Sequence, residues 1–311
     1  STVPGGGVAA AAEANDWRKI TYGSNVNRFV AISTSGSNPV MWSTDGINWN
    51  GVLAAENNQW KDVTYGNNKF LAVANTGTNR VMWSANGVDW SAFKAAEDNS
   101  WNSVTYGDGK FVAVSSERVM YSTDGINWDS TSSAEDSNWT AVTYGNDKFV
   151  AVANTGTSRV MYSTDGINWD ATQATSDSFW SSVTYGGDKF VAVADYGTDL
   201  AMYSTDGINW TAASGVEASD WTGVTYANGK FVAVATGGTN RVMYSTDGIN
   251  WTATQAAEDN SWAAVTYGGD KFVAVSINGT NRVMWSTDGT LWDGDLTQLT
   301  LTNNKTFDST D

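Results

Sequence analysis

A unit reading Trp-x-x-Val-Thr-Tyr-Gly-x-x-Lys-Phe-Val-Ala-Val, then a Thr/Gly/Asn loop, then Arg-Val-Met-Tyr-Ser-Thr-Asp-Gly-Ile-Asn-Trp, recurs seven times along the 311 residues. Its leading tryptophans are Trp17, Trp60, Trp101, Trp139, Trp180, Trp221 and Trp262, and its closing ones Trp49, Trp90, Trp128, Trp169, Trp210, Trp251 and Trp292. The leading spacings are 43, 41, 38, 41, 41 and 41. Both departures fall in loop-like stretches, which marks the segments between them as structural elements. Each unit holds four short runs of β-branched and aromatic residues punctuated by Gly, Asn, Asp and Ser, and no helical period persists. Four strands in about 41 residues, seven times over, predict an all-β, seven-bladed β-propeller with four antiparallel strands per blade. The expected division is a lead-in at 1–16, the propeller at 17–292, and a tail at 293–311 that forms a further strand or links to another domain.

The third-to-fourth-strand connection carries Asp45, Asn86, Asp124, Asp165, Asp206, Asp247 and Asp288, each followed by Gly. Asp-Gly and Asn-Gly are favoured pairs for a two-residue type I′ turn. That turn would set Trp42 opposite Trp49, Tyr121 opposite Trp128 and Tyr162 opposite Trp169. The segment Ser43, Asp45, Gly46, Trp49 and its equivalents resemble the Asp-box, or BNR, repeats of sialidase-like propellers, over about residues 17–292. Here Asp and Gly adjoin, which makes the pattern one residue shorter. The resemblance implies a propeller in which these turns are structural and lie away from an active face, so it carries no activity across.

Composition excludes much chemistry. The chain has no His and no Cys, which removes serine-histidine and cysteine-histidine catalysis, disulfides and the commonest zinc ligands. With 17 Lys and Arg against 33 Asp and Glu, the net charge is −16, the wrong sign for nucleic acid, and no run of the sequence clusters cations. No apolar run approaches membrane-spanning length. A sialidase-type hydrolase would require three clustered arginines, a tyrosine-glutamate pair and an acidic donor. Arg80, Arg118, Arg159, Arg241 and Arg282 instead recur at one repeat position and so belong to five blades. They read as paired charges at strand edges.

Candidate binding residues are of two kinds. Glu56, Glu97, Glu135, Glu217 and Glu258, with Glu13, stand four residues before a leading Trp and would form an acidic ring on one face. Ca²⁺ is conceivable there, although one Glu and one Asp per loop fall short of its six to eight oxygens, so each Glu reads first as a partner of its own loop. Unit five departs from the repeat at Asp195, Tyr196 and Asp199, an aromatic between two carboxylates that could mark a singular site. No cofactor other than Ca²⁺ is expected, and no catalytic residue. Seven like units suit a non-catalytic, lectin- or adhesin-like module outside the cell, binding glycans or a cell surface multivalently. The alternative is a structural or decoration domain of an appendage, filament or virion, joined through the C-terminal tail by strand addition. Glycoside hydrolysis ranks third.

Overall fold

The computed structural model describes residues 5–292, which form seven four-stranded antiparallel sheets in a closed ring, the seven-bladed β-propeller expected from the repeat. Blade 1 comprises Trp17–Gly23, Arg28–Ser33, Val40–Ser43 and Asn50–Val52. Blades 2 to 6 repeat the order. Blade 7 takes only its first three strands from the end of the chain. Its outer strand is Gly6–Ala9, which pairs antiparallel with Val283–Ser286, Val8 opposite Met284. The stretch read as a lead-in therefore supplies the strand that joins the two ends of the ring. The C-terminal tail, with the strand expected in it, lies outside the described residues.

The second strand of each blade, Lys-Phe-Val-Ala-Val or a close variant, is buried along nearly its whole length because blades cover both of its faces. The apolar core lies between blades. Trp17, Phe29 and Met41 of blade 1, for example, pack on Val273, Val275 and Val283 of blade 7. All seven leading tryptophans are fully buried, so each interface is anchored by one large ring.

The Asp-Gly turn differs from the expected type I′. Gly46 has φ +74° but Asp45 does not enter the left-handed region, and Trp42 pairs with Asn50 rather than Trp49. Likewise Tyr121 pairs with Asp129 and Tyr162 with Asp170. The connection is longer because the aspartate side chain serves as its hub. Asp45 Oδ1 accepts from the N–H groups of Ile47 and Asn48, both at 2.8 Å, while Ser43 Oγ accepts from Gly46 N–H at 2.8 Å. Trp49 is thereby turned inward, its ring centroid 6.4 Å from that of Phe29. Paired positive φ values occur instead in the first hairpin, at Asn67 and Asn68, Asp108 and Gly109, and Asn146 and Asp147.

The repeat-position arginines are paired with charge in three blades, Arg118 with Glu97, Arg159 with Asp177 at 3.8 Å and Arg282 with Asp16 at 4.0 Å, but their shorter contacts are mostly to main-chain oxygens across the blade interface. Each of four of them reaches forward to the loop of the next blade and donates to main-chain oxygens. Arg80 reaches Asn99 O at 2.7 Å, Arg159 reaches Asp177 O at 2.6 Å, and Arg241 reaches Asp259 O at 2.6 Å. Arg282 makes the same contact with Asn15 O of blade 1. Arg118, whose loop is shortened, meets the Glu97 carboxylate at 3.3 Å. On the opposite face Lys69, Lys230 and Lys271 donate to Asp124 O, Asp288 O and Asp45 O of a neighbouring blade at 2.7–2.9 Å. Every blade interface so far named is thus clamped at one or both ends by a cation and a carbonyl, a charge-assisted pairing stronger than a neutral one.

Candidate functional site at the channel mouth

The first strands of the seven blades line the central channel. Within their shared motif the two residues after the leading Trp vary most: Arg18-Lys19, Lys61-Asp62, Asn102-Ser103, Thr140-Ala141, Ser181-Ser182, Thr222-Gly223 and Ala263-Ala264. Both positions face the axis and line two adjoining cavities, one of about 260 Å³ at the mouth and one of about 170 Å³ below it.

At the first of these positions four blades use the side chain to hold the next blade. Asn102, Thr140, Ser181 and Thr222 donate to the main-chain oxygens of Trp139, Trp180, Trp221 and Trp262 at 2.6–2.9 Å. Blades 1 and 2 break this pattern with Arg18 and Lys61. Lys19 joins them at the mouth, so cations 43 residues apart in sequence come together. The absence of a linear cation run had given no sign of this patch. Neither Arg18, Lys19 nor Lys61 is in an ion pair among the described residues, and Arg18 Nε is buried without a hydrogen-bond partner. Burial, followed by the charge of Arg18, pulls the Lys61 ammonium below its ordinary pKa.

Asp62 is not a free counter-charge. It is buried and accepts from Val63 N–H at 2.8 Å, Ser103 Oγ–H at 2.6 Å and Val104 N–H at 2.9 Å. Burial pushes its carboxyl up, against the pull of Lys19 and these donors. Ser103 and Ser182 make the corresponding contact to Val142 N–H and Val224 N–H, so the second position is an inter-blade link wherever it carries an acceptor.

In a ring of seven, blade 5 stands across the channel from blades 1 and 2. Its first hairpin is longer than the others, Phe179–Gly186 with Lys189–Tyr196, because Phe179 and Tyr196 pair across it with ring centroids 5.5 Å apart. In blade 2 the position of Tyr196 is Thr76, whose hydroxyl accepts from Gln59 N–H, and the aromatic pair replaces that contact. Phe179 and Asp195 line the mouth, whereas Tyr196 stands 70% exposed behind Phe179. Asp195 Oδ1 is buried and has no hydrogen-bond partner among the described residues. Burial first, then the charge of Asp220, raises its pKa. Asp199 is not at the mouth. Its N–H is tied to the hydroxyls of Ser176 and Ser178.

The glutamates are placed around the same face but not gathered. Glu56 and Glu217 accept from the backbone and side-chain amides of Asn79 and Asn240 in their own blades. Glu135 accepts from Ser158 N–H and Arg159 N–H, Glu258 from Asn281, and Glu97 from Ser130 Oγ–H. Their main-chain oxygens are also used, as when Trp60 Nε1–H donates to Glu56 O at 3.2 Å. Among the described residues no three His, Cys, Asp or Glu side chains come together as a metal site. Glu56 and Glu97 line two equivalent surface grooves between blades, of about 290 and 320 Å³. The turn residues Asp45, Asn86, Asp124, Asp165, Asp206, Asp247 and Asp288 each organise their own connection by accepting main-chain N–H groups.

No protein-family model and no curated relative matches the sequence. The fold is similar to that of virginiamycin B lyase from Staphylococcus aureus, with a TM-score of 0.78, 13% identity and coverage of 88% of this chain and 95% of that one. It is also similar to YCF48 from Cyanidioschyzon merolae, with a TM-score of 0.66, 14% identity and coverage of 91% and 98%. U3-55K gives 0.70, 8%, 91% and 98%. At these identities the likeness extends to the propeller alone, and fold by itself does not fix function.

Proposed function

We propose that this chain is a non-catalytic recognition module that binds a glycan at the mouth of its central channel. The observation that carries the reading is the divergence of the first strands at their two axial positions. It leaves three cations on blades 1 and 2 that are in no ion pair among the described residues, opposite Phe179 and Asp195 on blade 5. A concave site with a few convergent polar groups is the usual form of a ligand site. An aromatic ring beside hydroxyl and amide groups suits the mixed apolar and polar faces of a sugar. Non-catalysis is favoured by Asp62, whose oxygens are already engaged, because glycoside hydrolysis needs two available carboxylates.

The test is a glycan array with the full chain, followed by calorimetry on any hit, beside hydrolysis assays with fluorogenic glycosides. Binding that is lost in Lys61→Ser supports the reading. Turnover above background overturns it, and silence across a broad array transfers the chain to the structural role of a decoration or spacer domain. A second, multivalent reading draws on the two equivalent grooves beside Glu56 and Glu97. Weak binding that gains avidity only on a dense glycan surface, unaffected by Lys61→Ser, would favour it. In either reading the partner is a glycan-bearing surface and the site of action lies outside the cell.

A further inference from the structure

The mouth has two unlike sides, and together they restrict the ligand more than the reading above, on which this inference rests. On blades 1 and 2, Arg18 and Lys61 both line the mouth, close enough that one charge acts on the other, and among the described residues no carboxylate forms an ion pair with either. An unpartnered buried Nε on Arg18 adds a donor without an acceptor. This side calls for an anion, and a guanidinium suits a planar carboxylate. On blade 5 the demand is opposite. Asp195 Oδ1 is an acceptor without a donor, and Phe179 offers an aromatic surface held by Tyr196. A ligand cation is disfavoured there because the Arg159 guanidinium already lies 5.9 Å from the Phe179 ring centroid. A hydroxyl group meets the need of Asp195 without adding charge.

We infer that the channel mouth binds a sugar acid, a single pyranose ring bearing a carboxylate. The carboxylate lies between Arg18 and Lys61, the apolar ring face lies on Phe179, and a ring hydroxyl donates to Asp195 Oδ1. At about 260 Å³ the cavity falls just below the range that takes drug-sized ligands, which fits one ring rather than an oligosaccharide. An inorganic anion would leave Asp195 and Phe179 unused, and a neutral sugar would leave the cations unmatched.

Calorimetric titration of the full chain with glucuronate, glucose and acetate tests this. Glucuronate is expected to bind at least about tenfold more tightly than either of the others, since each lacks one half of the recognition. Two variants restore residues that other blades carry at the same repeat positions, and so preserve the fold: Lys61→Ser, as at Ser181, and Asp195→Asn, as at Asn154. Each is expected to weaken glucuronate binding about tenfold or more with the melting temperature little changed. Equal binding of acetate, or of glucose, overturns the sugar-acid assignment. If another glycan binds and Lys61→Ser abolishes that binding, the mouth remains the site and only the ligand class is wrong. If nothing binds, or binding ignores both variants, the site and the inference fall together.

Discussion

Arg282 Nη1 donates to the main-chain oxygen of Asn15 at 2.6 Å, joining residues that are 267 apart in sequence. The same clamp in other blades links sequence neighbours, but here it closes the ring, beside the strand pairing of Gly6–Ala9 with Val283–Ser286. The Arg282 side chain is only 15% exposed, so the hydrogen bond is little diluted by water. Arg282→Ala is expected to destabilise by about 1.5–3 kcal/mol, the range for a hydrogen bond to a charged group. Removing residues 1–9 leaves this clamp in place but should cost more, because it strips the whole outer strand of blade 7. Denaturant melts of both variants check this, and an unchanged midpoint for the truncated chain would show that closure does not depend on that strand.

Gly107 lies under the ring of Tyr144 in the next blade, where an added methyl group would meet the ring carbons far inside contact distance. Gly66, Gly145, Gly186 and Gly268 repeat the arrangement. Blade 6 carries Ala227 instead, and the neighbouring Tyr267 departs from the set, its plane 64° from that of Phe272 against 53–56° elsewhere. Gly107→Ala is therefore expected to tilt Tyr144 and cost about 1–2 kcal/mol. Overpacking outweighs the smaller gain from restricting the unfolded chain. Calorimetry gives the cost and near-ultraviolet circular dichroism the ring movement; a more stable variant would mean that the ring yields freely.

Blade number and strand count were legible because insertions such as the one before Phe29 fall only in loops, leaving the strand pattern intact. The Asp-Gly turn was misread because propensity registers that Gly46 accepts positive φ. It does not register that a carboxylate can replace a strand residue as the hydrogen-bonding hub. The mouth was missed for another reason. Arg18 and Lys61 meet only after ring closure, and their sole trace in the sequence is that the two positions after each leading Trp vary inside an otherwise constant motif. Asp195 stood out as a departure from Asn, but nothing local indicated that it would face the cations of blades 1 and 2.

Acid should destabilise the ring through its turns. The N–H of Asn127 above all, then that of Ile126, holds the Asp124 carboxyl well below the usual carboxylate range, and Asn250 does the same for Asp247. Asp45 and Asp206 are lowered as well, although burial pushes them upward. With a depressed pKa in the folded state, the stabilisation is complete above the unfolded value of about 3.9 and is lost as pH falls through the folded one. Asp62 and Asp195, both raised, act in the opposite sense but are outnumbered. The melting temperature is expected to fall steadily from about pH 4 downward. A flat or rising profile would sink this account.

Blade 2 offers an internal test of the turn. In five of the other six blades an aspartate accepts from an asparagine three residues on, as Asp45 Oδ2 does from Asn48 Nδ2 at 2.7 Å; in blade 7 Asp288 Oδ2 accepts from Thr290 Oγ1–H instead. In blade 2 the pair is exchanged, with Asn86 Nδ2 donating to Asp89 Oδ2 at 2.8 Å, while Asn86 Oδ1 still accepts from Val88 N–H and Asp89 N–H. Either arrangement places one charge in the turn. Asn86→Asp alone sets two carboxylates against each other and removes the donor, so it should cost about 1 kcal/mol at this exposed position. Asp89→Asn alone leaves two amides, which can still share one hydrogen bond, and should cost less. The double variant recreates the turn of those five blades and is expected to return to within about 0.5 kcal/mol of the parent. Denaturant melts of the four proteins give the coupling directly. Additive effects of the two substitutions would show that the exchange of Asp and Asn between blades is independent drift at two positions rather than a conserved pair.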